Sequence, residues 1–484
     1  MLKRVGETEK QKSVKTTIAD AQFPAPFHEG LEYSSPARGT WNIVHTGMLI
    51  PESHQIFVCA LGCLRGVVLT AAEMNALDRY SSIQIREENV LDGGMEELMI
   101  EGVTDIIRKL RYQPKAILLF ISCQHFFLAY DQELVFSVLR ERFPEIHFTD
   151  CYMIPTLRKS GLTPDQKMRI QMYSMWEPQP FEPKRVNLIG SNLQTSPSSE
   201  LVRMVEDAGY EFWDLYRCRH FADYLGMAKA PLNLVYEPAA LMAAEDLKKR
   251  LGQEYVYLSF SYDFGELEQN YNRLAEKLHI PRPDFTADQE RALRAISHAK
   301  DLIGDTPIAV DYTFTFRILS FARLLLEYGF HVAEIYADAF LPEDRGDFEW
   351  IREKYPGIVI SSTNRPAMRF LHGSENCCDT DRECSETQST KTEPGAGIGL
   401  SVEQEQKAAE AKAAGKVAPK VLAIGQKAAY FAATDYFVNV AESGGYYGFD
   451  GIVQIMGLME DAFLHKKDRR TVIQRKGYGC ESCL

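Results

Sequence analysis

Three cysteines near the N-terminal end of the chain have the residue type and spacing that can bind a metal cluster. Cys59 and Cys63 lie in IFVCALGCLRG, where a hydrophobic stretch gives way to glycine, and Cys123 follows the apolar run LLFIS. Thiolates are soft ligands that select iron–sulfur clusters or zinc. A CxxxC pair is also typical of two cysteines on one face of a core helix, so the spacing alone leaves both interpretations open.

The other cysteines give weaker indications of a site. Cys151 and Cys218 are isolated, which is typical of buried structural residues. Cys480 and Cys483 form a CxxC pair, which suits a second metal site, a redox pair or an unstructured tail. Three further cysteines could join them in a second site: Cys377, Cys378 and Cys384.

The composition indicates a soluble globular protein, with 45% hydrophobic and 25% charged residues. A net charge of −13 disfavours nucleic-acid binding, which needs a basic surface. The N-terminal residues are polar and lack the apolar stretch of a signal peptide or membrane helix. We therefore expect a cytoplasmic protein with no nucleic-acid or membrane partner, whose ten cysteines stay reduced.

Short apolar runs that predict buried strands alternate with helical patterns along the chain. Glycine and polar residues follow several of the runs, and the amphipathic helices come next. The predicted strands are 113–122, 185–191, 306–312, 331–336 and 420–425, and the predicted helices are 200–208 and 314–328.

This alternation predicts an α/β fold of three Rossmann-like domains, with mostly parallel sheets flanked by helices. We place the domains at 1–182, 183–300 and 301–484, with the first boundary in the proline-rich WEPQPFEPK. The polar and alanine-rich segment near 374–420 reads as a flexible insertion, and a cysteine-containing tail ends the chain. Ligands bind at the carboxyl ends of parallel strands. We therefore expect the pair Cys59 and Cys63 to converge with Cys123 on one site.

Five segments together resemble the nitrogenase component 1 family, which includes the nitrogenase α- and β-subunits, their assembly scaffolds and related tetrapyrrole reductases. ALGC, ending at Cys63, is similar to the glycine–cysteine motif of the family, and ISCQHFFLAYD is similar to its later cysteine loop. VNLIGSN, APLNLVYEP and GGYYGFDG resemble segments of the second and third domains of the nitrogenase α-subunit.

The resemblance implies an iron–sulfur cluster, expected to be [4Fe–4S], with Cys59, Cys63 and Cys123 as ligands. The first cluster cysteine of the family has no counterpart here, and Cys59 would replace it. The fourth ligand is left open, because in this family a partner subunit or an oxygen atom can supply it. His125 is a candidate hydrogen-bond donor to the cluster.

The sequence departs from the nitrogenase α-subunit at the ligands of the molybdenum–iron cofactor. Glu237 stands where the ligating cysteine would fall, and Tyr447 stands where the histidine would fall. No cofactor of that kind, and no dinitrogen reduction, is therefore expected. Both residues are candidates to line the vacated cavity as catalytic proton donors. The alternative is that Glu237 is a surface residue and Tyr447 an ordinary packed aromatic.

By resemblance, the chain is the catalytic subunit of an oxidoreductase that reduces an unidentified small molecule. Electrons would come from an ATP-dependent iron protein with a P-loop, a motif that this sequence lacks. The chain would assemble as a homo-oligomer or with a β-like subunit. Two alternatives stay open, a scaffold for metal-cluster assembly and a non-catalytic ligand-binding relative.

Overall fold

The computed structural model describes residues 14–27, 32, 43–154, 161–370, 420–469 and 471–472. Two of the features predicted above lie outside these residues. One is the insertion near 374–420, of which only Lys420 is described. The other is the cysteine-containing tail. The cysteines that lie outside the described residues are Cys377, Cys378, Cys384, Cys480 and Cys483.

Strands and helices alternate through the described residues. The strands are β1 (Lys15–Thr17), β2 (Ser53–Cys59), β3 (Tyr80–Gln84), β4 (Ala116–Ser122), β5 (His147–Met153), β6 (Arg185–Leu188), β7 (Glu211–Trp213), β8 (Leu232–Val235), β9 (Glu254–Tyr257), β10 (Ile308–Asp311), β11 (Val332–Tyr336), β12 (Val359–Ser361), β13 (Leu422–Ile424) and β14 (Phe437–Val438). The helices are α1 (Ile43–Met48), α2 (Leu61–Glu73), α3 (Glu87–Leu91), α4 (Met95–Lys109), α5 (Cys123–Phe127), α6 (Gln132–Arg142), α7 (Pro164–Met172), α8 (Glu200–Asp207), α9 (Phe221–Gly226), α10 (Leu241–Leu251), α11 (Phe264–Leu278), α12 (Thr286–Ile303), α13 (Ile318–Glu327), α14 (Arg345–Lys354), α15 (Gln426–Phe431) and α16 (Gly448–Leu464).

The strands form three sheets, each flanked by helices. Their orders are β3-β2-β4-β5, β7-β6-β8-β9 and β1-β12-β11-β10-β13-β14. The strand pairs are parallel apart from β1 with β12. This confirms the predicted α/β fold class with mostly parallel sheets. None of the helices within the described residues combines the length and the apolar character needed to cross a membrane.

The apolar runs of the sequence correspond to the central strands of the sheets. Both faces of these strands are covered by other parts of the protein. All seven residues of β4 are buried, as are all four of β10. Alternate residues point to opposite faces of a sheet, so a strand covered on both faces is apolar throughout. The observed strands are shorter than the predicted runs, and α13 begins at Ile318 because Phe314 belongs to a turn bonded to Asp311.

Strand β1 stands apart from the chain order, because it adds an antiparallel edge to the third sheet. Lys15 pairs in register with Ser361 of β12. The Lys15 ammonium also lies 3.1 Å from the buried carboxylate of Glu334 in β11. The segment that precedes the first sheet in the sequence therefore packs with the last one.

Each sheet contains a point where the strand order reverses direction. These points lie between β2 and β4, between β6 and β8, and between β10 and β13. In open parallel sheets, ligands bind in the crevice outside the carboxyl ends of the strands at such a point. The fold thus offers three crevices, and the residues that follow these strands are the candidates for function.

Candidate functional site

The three predicted cluster cysteines lie together at the reversal point of the first sheet. Cys59 is the last residue of β2, Cys63 lies in the first turn of α2, and Cys123 is the first residue of α5, directly after β4. Strands β2 and β4 are neighbours, with Phe57 opposite Phe120. The strand–helix junctions therefore bring residues that are 60 positions apart in the sequence to one edge of the sheet.

The three thiols differ in how they face the solvent. Cys59 is fully buried in the apolar core, whereas Cys63 is exposed and Cys123 is half-buried. Burial, and then the proximity of Cys63, raise the pKa of Cys59 to about 12. The same two causes raise the pKa of Cys123. Cys63 therefore lies within electrostatic range of both other thiols, but only Cys63 and Cys123 reach the surface.

The fit of an iron–sulfur cluster to these cysteines is partial. Within the part of the chain that the structure describes, no three Cys, His, Asp or Glu side chains converge as a ready metal site. Cys59 packs with Phe57 on the core side of the sheet. Cys63 and Cys123 have the soft chemistry and the position to hold a cluster at the surface, but the remaining ligands would have to come from beyond the described residues.

His125 lies at the same edge of the sheet and carries a ring nitrogen that could donate a hydrogen bond to a cluster. Its Nδ1 accepts a hydrogen bond of 3.2 Å from the backbone N–H of Ser122, whereas its Nε2 is buried and has no hydrogen-bond partner among the described residues. Burial lowers the pKa of His125 to about 4, so the ring is neutral and carries its proton on Nε2. The Nε2–H group of His125, two residues after Cys123, is therefore suited to donate a hydrogen bond to a sulfur atom at the Cys123 site.

Exposed apolar side chains lie on, or directly after, the helices that carry the two accessible thiols. Leu61, Phe126, Phe127 and Leu128 are 65%, 60%, 70% and 42% exposed. These four residues, the apolar patch, belong to the helices that carry Cys63 and Cys123 or directly follow them. Apolar groups clustered on a surface mark sites of protein association.

A separate cavity of about 250 Å3 lies between the second and third sheets. It is bounded by segments that follow the carboxyl ends of β8, β10, β11 and β14, and by α7. One end of the cavity is charged, and the wall carries aromatic and aliphatic side chains. The charged residues are Asp165, Arg169, Glu237 and Glu442, and the wall includes Tyr312, Phe316, Ile318, Phe340 and Leu341.

Glu237 lines this cavity and is only 2% exposed, so it is not a surface residue. Its Oε2 atom lies 2.6 Å from Nη2 of Arg169 but makes no aligned hydrogen bond with any of the described residues. Burial, reinforced by Glu442 and Asp165, raises the pKa of Glu237 to about 8 even though Arg169 opposes the shift. The carboxyl group can therefore hold a proton at neutral pH.

Gly190 lets the loop after β6 approach the segment that follows Glu237. Its φ of +87° lies in the left-handed region, and a Cβ there would fall 2.1 Å from that of Ala240. Only glycine meets both conditions. The same added Cβ would lie 3.6 Å from Nη1 of Arg169, so this close approach packs the loop after β6 beside the Arg169–Glu237 pair.

Tyr447 lies outside the cavity, in an aromatic cluster. Its ring stacks on Tyr236 at 5.1 Å and meets Phe260 edge to face at 5.4 Å. The side chain is fully buried, its hydroxyl donates to the backbone oxygen of Leu258 at 3.4 Å, and burial raises its pKa strongly. The structure therefore separates the two predicted proton donors.

Sequence reasoning missed the partners of Glu237. Arg169 and Asp165 sit one turn apart on α7, and Glu442 follows β14. The start of α7 is visible in the sequence, because Thr163 caps it and Pro164 occupies its first position. Nothing local shows that Arg169 is buried, and only the tertiary fold brings it to Glu237.

The comparisons with known proteins agree with this architecture. The model of the nitrogenase component 1 type oxidoreductases matches residues 45–456, which is more than four fifths of the chain. The chain therefore belongs to the nitrogenase component 1 type oxidoreductase family. Proteins of this family bind metal clusters, work with an iron protein and form oligomers.

Two solved structures share the fold at low sequence identity. "Nitrogenase Cp1 at pH 6.5" is 11% identical, with a TM-score of 0.60 over 90% of this chain and 94% of that chain. "Nitrogenase Cp1 at pH 5" is 13% identical, with a TM-score of 0.51 over 93% of each chain. No curated protein matches the sequence closely enough to count as a relative.

Proposed function

We propose that the chain is a catalytic subunit of a nitrogenase-like oxidoreductase that reduces a small molecule, other than dinitrogen, bound in the cavity at Glu237. The observation that carries the proposal is the convergence of Cys63 and Cys123 at the reversal point of the first sheet, inside the apolar patch. Electrons would come from an ATP-dependent iron protein with a P-loop. The electron donor and the kind of substrate are part of this proposal, because membership of the family does not by itself establish them.

The accessible thiols support a cluster shared between subunits. Cys63 and Cys123 would bind it from this chain, and a second copy or a β-like subunit would supply the remaining ligands. A [4Fe–4S] cluster supplies one-electron transfer when bound. The apolar patch would exclude water from the shared site, and the Nε2–H of His125, which has no partner in the described part of the chain, would donate to sulfur. Cys59 becomes a ligand only if its thiol leaves the core.

The cavity supports a role for Glu237 as a proton donor. A carboxyl group that stays protonated near neutral pH can deliver a proton to a reduced substrate. Arg169, 2.6 Å away, orients that group and stabilises the carboxylate that remains. Tyr447 contacts only core residues among those described, and we assign it a packing role.

The test is anaerobic purification followed by iron and sulfide assays and electron paramagnetic resonance. We expect a cluster in the wild type that is lost in Cys63→Ser and Cys123→Ser. Cys151→Ser, a change at a fully buried thiol of β5 in the same sheet, is the matched control and should keep the iron. Cys59→Ser decides whether that thiol contributes. A wild type without iron would refute the proposal.

A second assay addresses catalysis. The purified protein, mixed with a nitrogenase-type iron protein, should accelerate its ATP hydrolysis and accept electrons, as seen by bleaching of the cluster absorbance. Cluster transfer to an apo-enzyme, with no electron uptake, would instead favour an assembly scaffold.

A further inference from the structure

The reversal point of the third sheet carries a buried lysine and a buried aspartate beside the cavity. Asp311 is the last residue of β10, and Lys427 lies in the first turn of α15, which follows the neighbouring strand β13. Both side chains are buried, and they lie within electrostatic range of each other. Tyr312 directly follows Asp311 and lines the cavity. The carboxyl edge of the third sheet therefore contributes a phenol to the cavity wall, with a cation next to it.

The hydrogen bond between Lys427 and Tyr312 determines where the phenolic proton can point. Nζ of Lys427 lies 2.8 Å from the hydroxyl of Tyr312, and an ammonium group can only donate. The same ammonium group donates to Oγ1 of Thr363 at 3.3 Å. Because the hydroxyl oxygen of Tyr312 accepts from Lys427, its own proton points away from Lys427. Among the described residues, this hydroxyl makes no other hydrogen bond, so its proton is available to a ligand.

Glu237 and Arg169 add hydrogen-bond donors at the same cavity. The pKa of Glu237 is raised to about 8, mainly by burial, so at neutral pH its carboxyl group carries a proton. Nη1 of Arg169 is buried and has no hydrogen-bond partner among the described residues. Leaving such a group unsatisfied costs about 1–3 kcal/mol. Donors without acceptors beside a cavity indicate a ligand that brings an acceptor atom.

The charges near the cavity favour an uncharged ligand over an anion. Arg169 contacts Glu237 at 2.6 Å and Asp165 at 3.5 Å, and Lys427 lies near Asp311. Both cations thus have carboxyl groups beside them, and an incoming anion would gain little from either. The rest of the wall is apolar and includes Phe316, Ile318, Phe340 and Leu341. Such a wall suits the body of a small organic molecule.

We propose that this cavity binds a small uncharged carbonyl compound, whose oxygen accepts a hydrogen bond from the hydroxyl of Tyr312 and whose apolar part lies against Phe316 and Phe340. This inference rests on the proposed function, since it names the substrate class and a further catalytic residue of the same site. At about 250 Å3, the cavity falls below the range of about 300–1,000 Å3 for drug-sized ligands. The substrate is therefore smaller than a tetrapyrrole.

The reaction that follows is reduction of the carbonyl group to an alcohol. The π bond between carbon and oxygen breaks, and one C–H bond and one O–H bond form. The two electrons come from the iron protein, one at a time. Tyr312 gives the proton to oxygen, and Glu237 gives the proton to carbon. The ammonium group of Lys427, 2.8 Å away, stabilises the phenolate that Tyr312 becomes.

The test compares acetophenone with α-methylstyrene, in which a CH2 group replaces the carbonyl oxygen. Isothermal titration calorimetry on the purified full chain at neutral pH measures their binding to the wild type and to Tyr312→Phe. We expect the variant to bind acetophenone about tenfold more weakly and α-methylstyrene as the wild type does, because only the ketone loses a hydrogen bond. Equal effects on the two probes, no effect on acetophenone, or no binding of acetophenone to the wild type overturns the proposal.

A matched variant and two charged probes sharpen the comparison. Tyr447→Phe removes the hydroxyl of a buried tyrosine outside the cavity and should leave acetophenone binding unchanged. Benzoate and benzamidinium have a similar planar shape, with a negative and a positive charge. The wild type should bind each at least about tenfold more weakly than acetophenone, because burying a charge without a partner is costly. A preference for either ion contradicts the uncharged class.

Infrared spectroscopy reports the hydrogen bond itself. A donated hydrogen bond weakens the C=O bond, so the carbonyl band of bound 13C-labelled acetophenone should lie at lower frequency than in hexane. Tyr312→Phe should move the band back toward its position in hexane, which a merely structural role of the tyrosine would not do. If Tyr312→Phe does not fold, the spectrum of the wild type decides. An unshifted band contradicts the proposal.

These measurements separate the inference from the proposed function, because they need no iron protein, ATP or cluster. An iron-free Cys63→Ser protein should bind acetophenone as the wild type does. A wild type that holds no iron yet binds the ketone through Tyr312 would refute the oxidoreductase and keep the carbonyl site. A wild type that holds iron, and whose Tyr312→Phe variant binds the ketone unchanged, would do the reverse.

Discussion

The Nη2 atom of Arg169 lies 2.6 Å from Oε2 of Glu237, and these side chains are 1% and 2% exposed. A buried ion pair is costly unless its atoms are well hydrogen-bonded, and this one is not aligned. Burial of Glu237, with Glu442 and Asp165 nearby, favours the protonated carboxyl group over the carboxylate. The carboxyl group of Glu237 is therefore poised between its charged and neutral forms near physiological pH, beside a guanidinium group that stays charged.

The pKa of Glu237 predicts a pH dependence of stability. Folding raises this pKa from 4.5 to about 8, so the folded state binds the proton more tightly than the unfolded state. The resulting stabilisation is complete below pH 4.5 and is lost as the pH rises through about 8. Glu237→Gln, a neutral mimic of the protonated acid, should not show this loss.

Urea unfolding of the wild type and Glu237→Gln at pH 5 and pH 8 measures the effect. The wild type should lose at least about 1 kcal/mol relative to the variant between these pH values. Glu200, whose pKa is raised to about 7, titrates in both proteins, so the difference between them isolates Glu237. Parallel pH profiles for the two proteins would show that Glu237 is already ionised in the folded wild type.

The sequence was sufficient to predict the strand before Cys123, but not the strand that ends at Cys59, the helices that carry Cys63 and Cys123, or the direction of each thiol. The apolar run before Cys123 predicted a buried strand, and β4 confirms it. In β2, however, all seven residues are buried, so alternation gives no sign of which face Cys59 occupies. It lies on the same face as Phe57, inside the core.

Contacts between residues that are far apart in the sequence could not be predicted from it either. Arg169 precedes Glu237 by 68 positions, and no periodic pattern links α7 to the end of β8. Strand β1 has only three residues, too few to show the alternation of a strand. Both features depend on how separate sheets pack, which local propensity does not encode.

The different exposure of the thiols predicts an order of alkylation. Cys63 is exposed and Cys123 half-buried, whereas Cys59 and Cys151 are fully buried and burial raises the pKa of both. Because the reactive species is an accessible thiolate, iodoacetamide should label Cys63 first and Cys123 next among these four cysteines in iron-free protein. Peptide mass spectrometry over time measures the order. Early labelling of Cys59 would mean that its thiol leaves the core readily, which would restore it as a ligand.

The apolar patch predicts that assembly and cluster binding depend on the same surface. Phe127 is 70% exposed beside the helix turn that carries Cys123, so Phe127→Ser should weaken subunit association and lower the iron content together. Light scattering after gel filtration measures the mass. Leu464→Ser, a change at a side chain that is 57% exposed at the end of α16, is the control. An oligomer with full iron content in Phe127→Ser would exclude the patch from the interface.

Gly448, at the start of α16, predicts a severe effect of a single added methyl group. Its φ is +89°, and a Cβ there would lie 2.0 Å from the hydroxyl of Tyr271 and 2.4 Å from Oε2 of Glu200. Both neighbours are buried and bonded to each other at 3.1 Å, so neither can move aside cheaply. Gly448→Ala adds overpacking to backbone strain and should cost at least about 2 kcal/mol of unfolding free energy.

Gly252→Ala separates the cost of backbone strain from the cost of overpacking. Gly252 has a similar φ of +73°, but a Cβ there would meet no atom of the described residues within 4 Å. Its substitution should therefore cost only the backbone strain, about 1 kcal/mol. Urea midpoints of the two variants give the comparison. Equal losses would mean that Tyr271 and Glu200 yield to the methyl group, and that the contact between α8, α11 and α16 is looser than its buried hydrogen bonds imply.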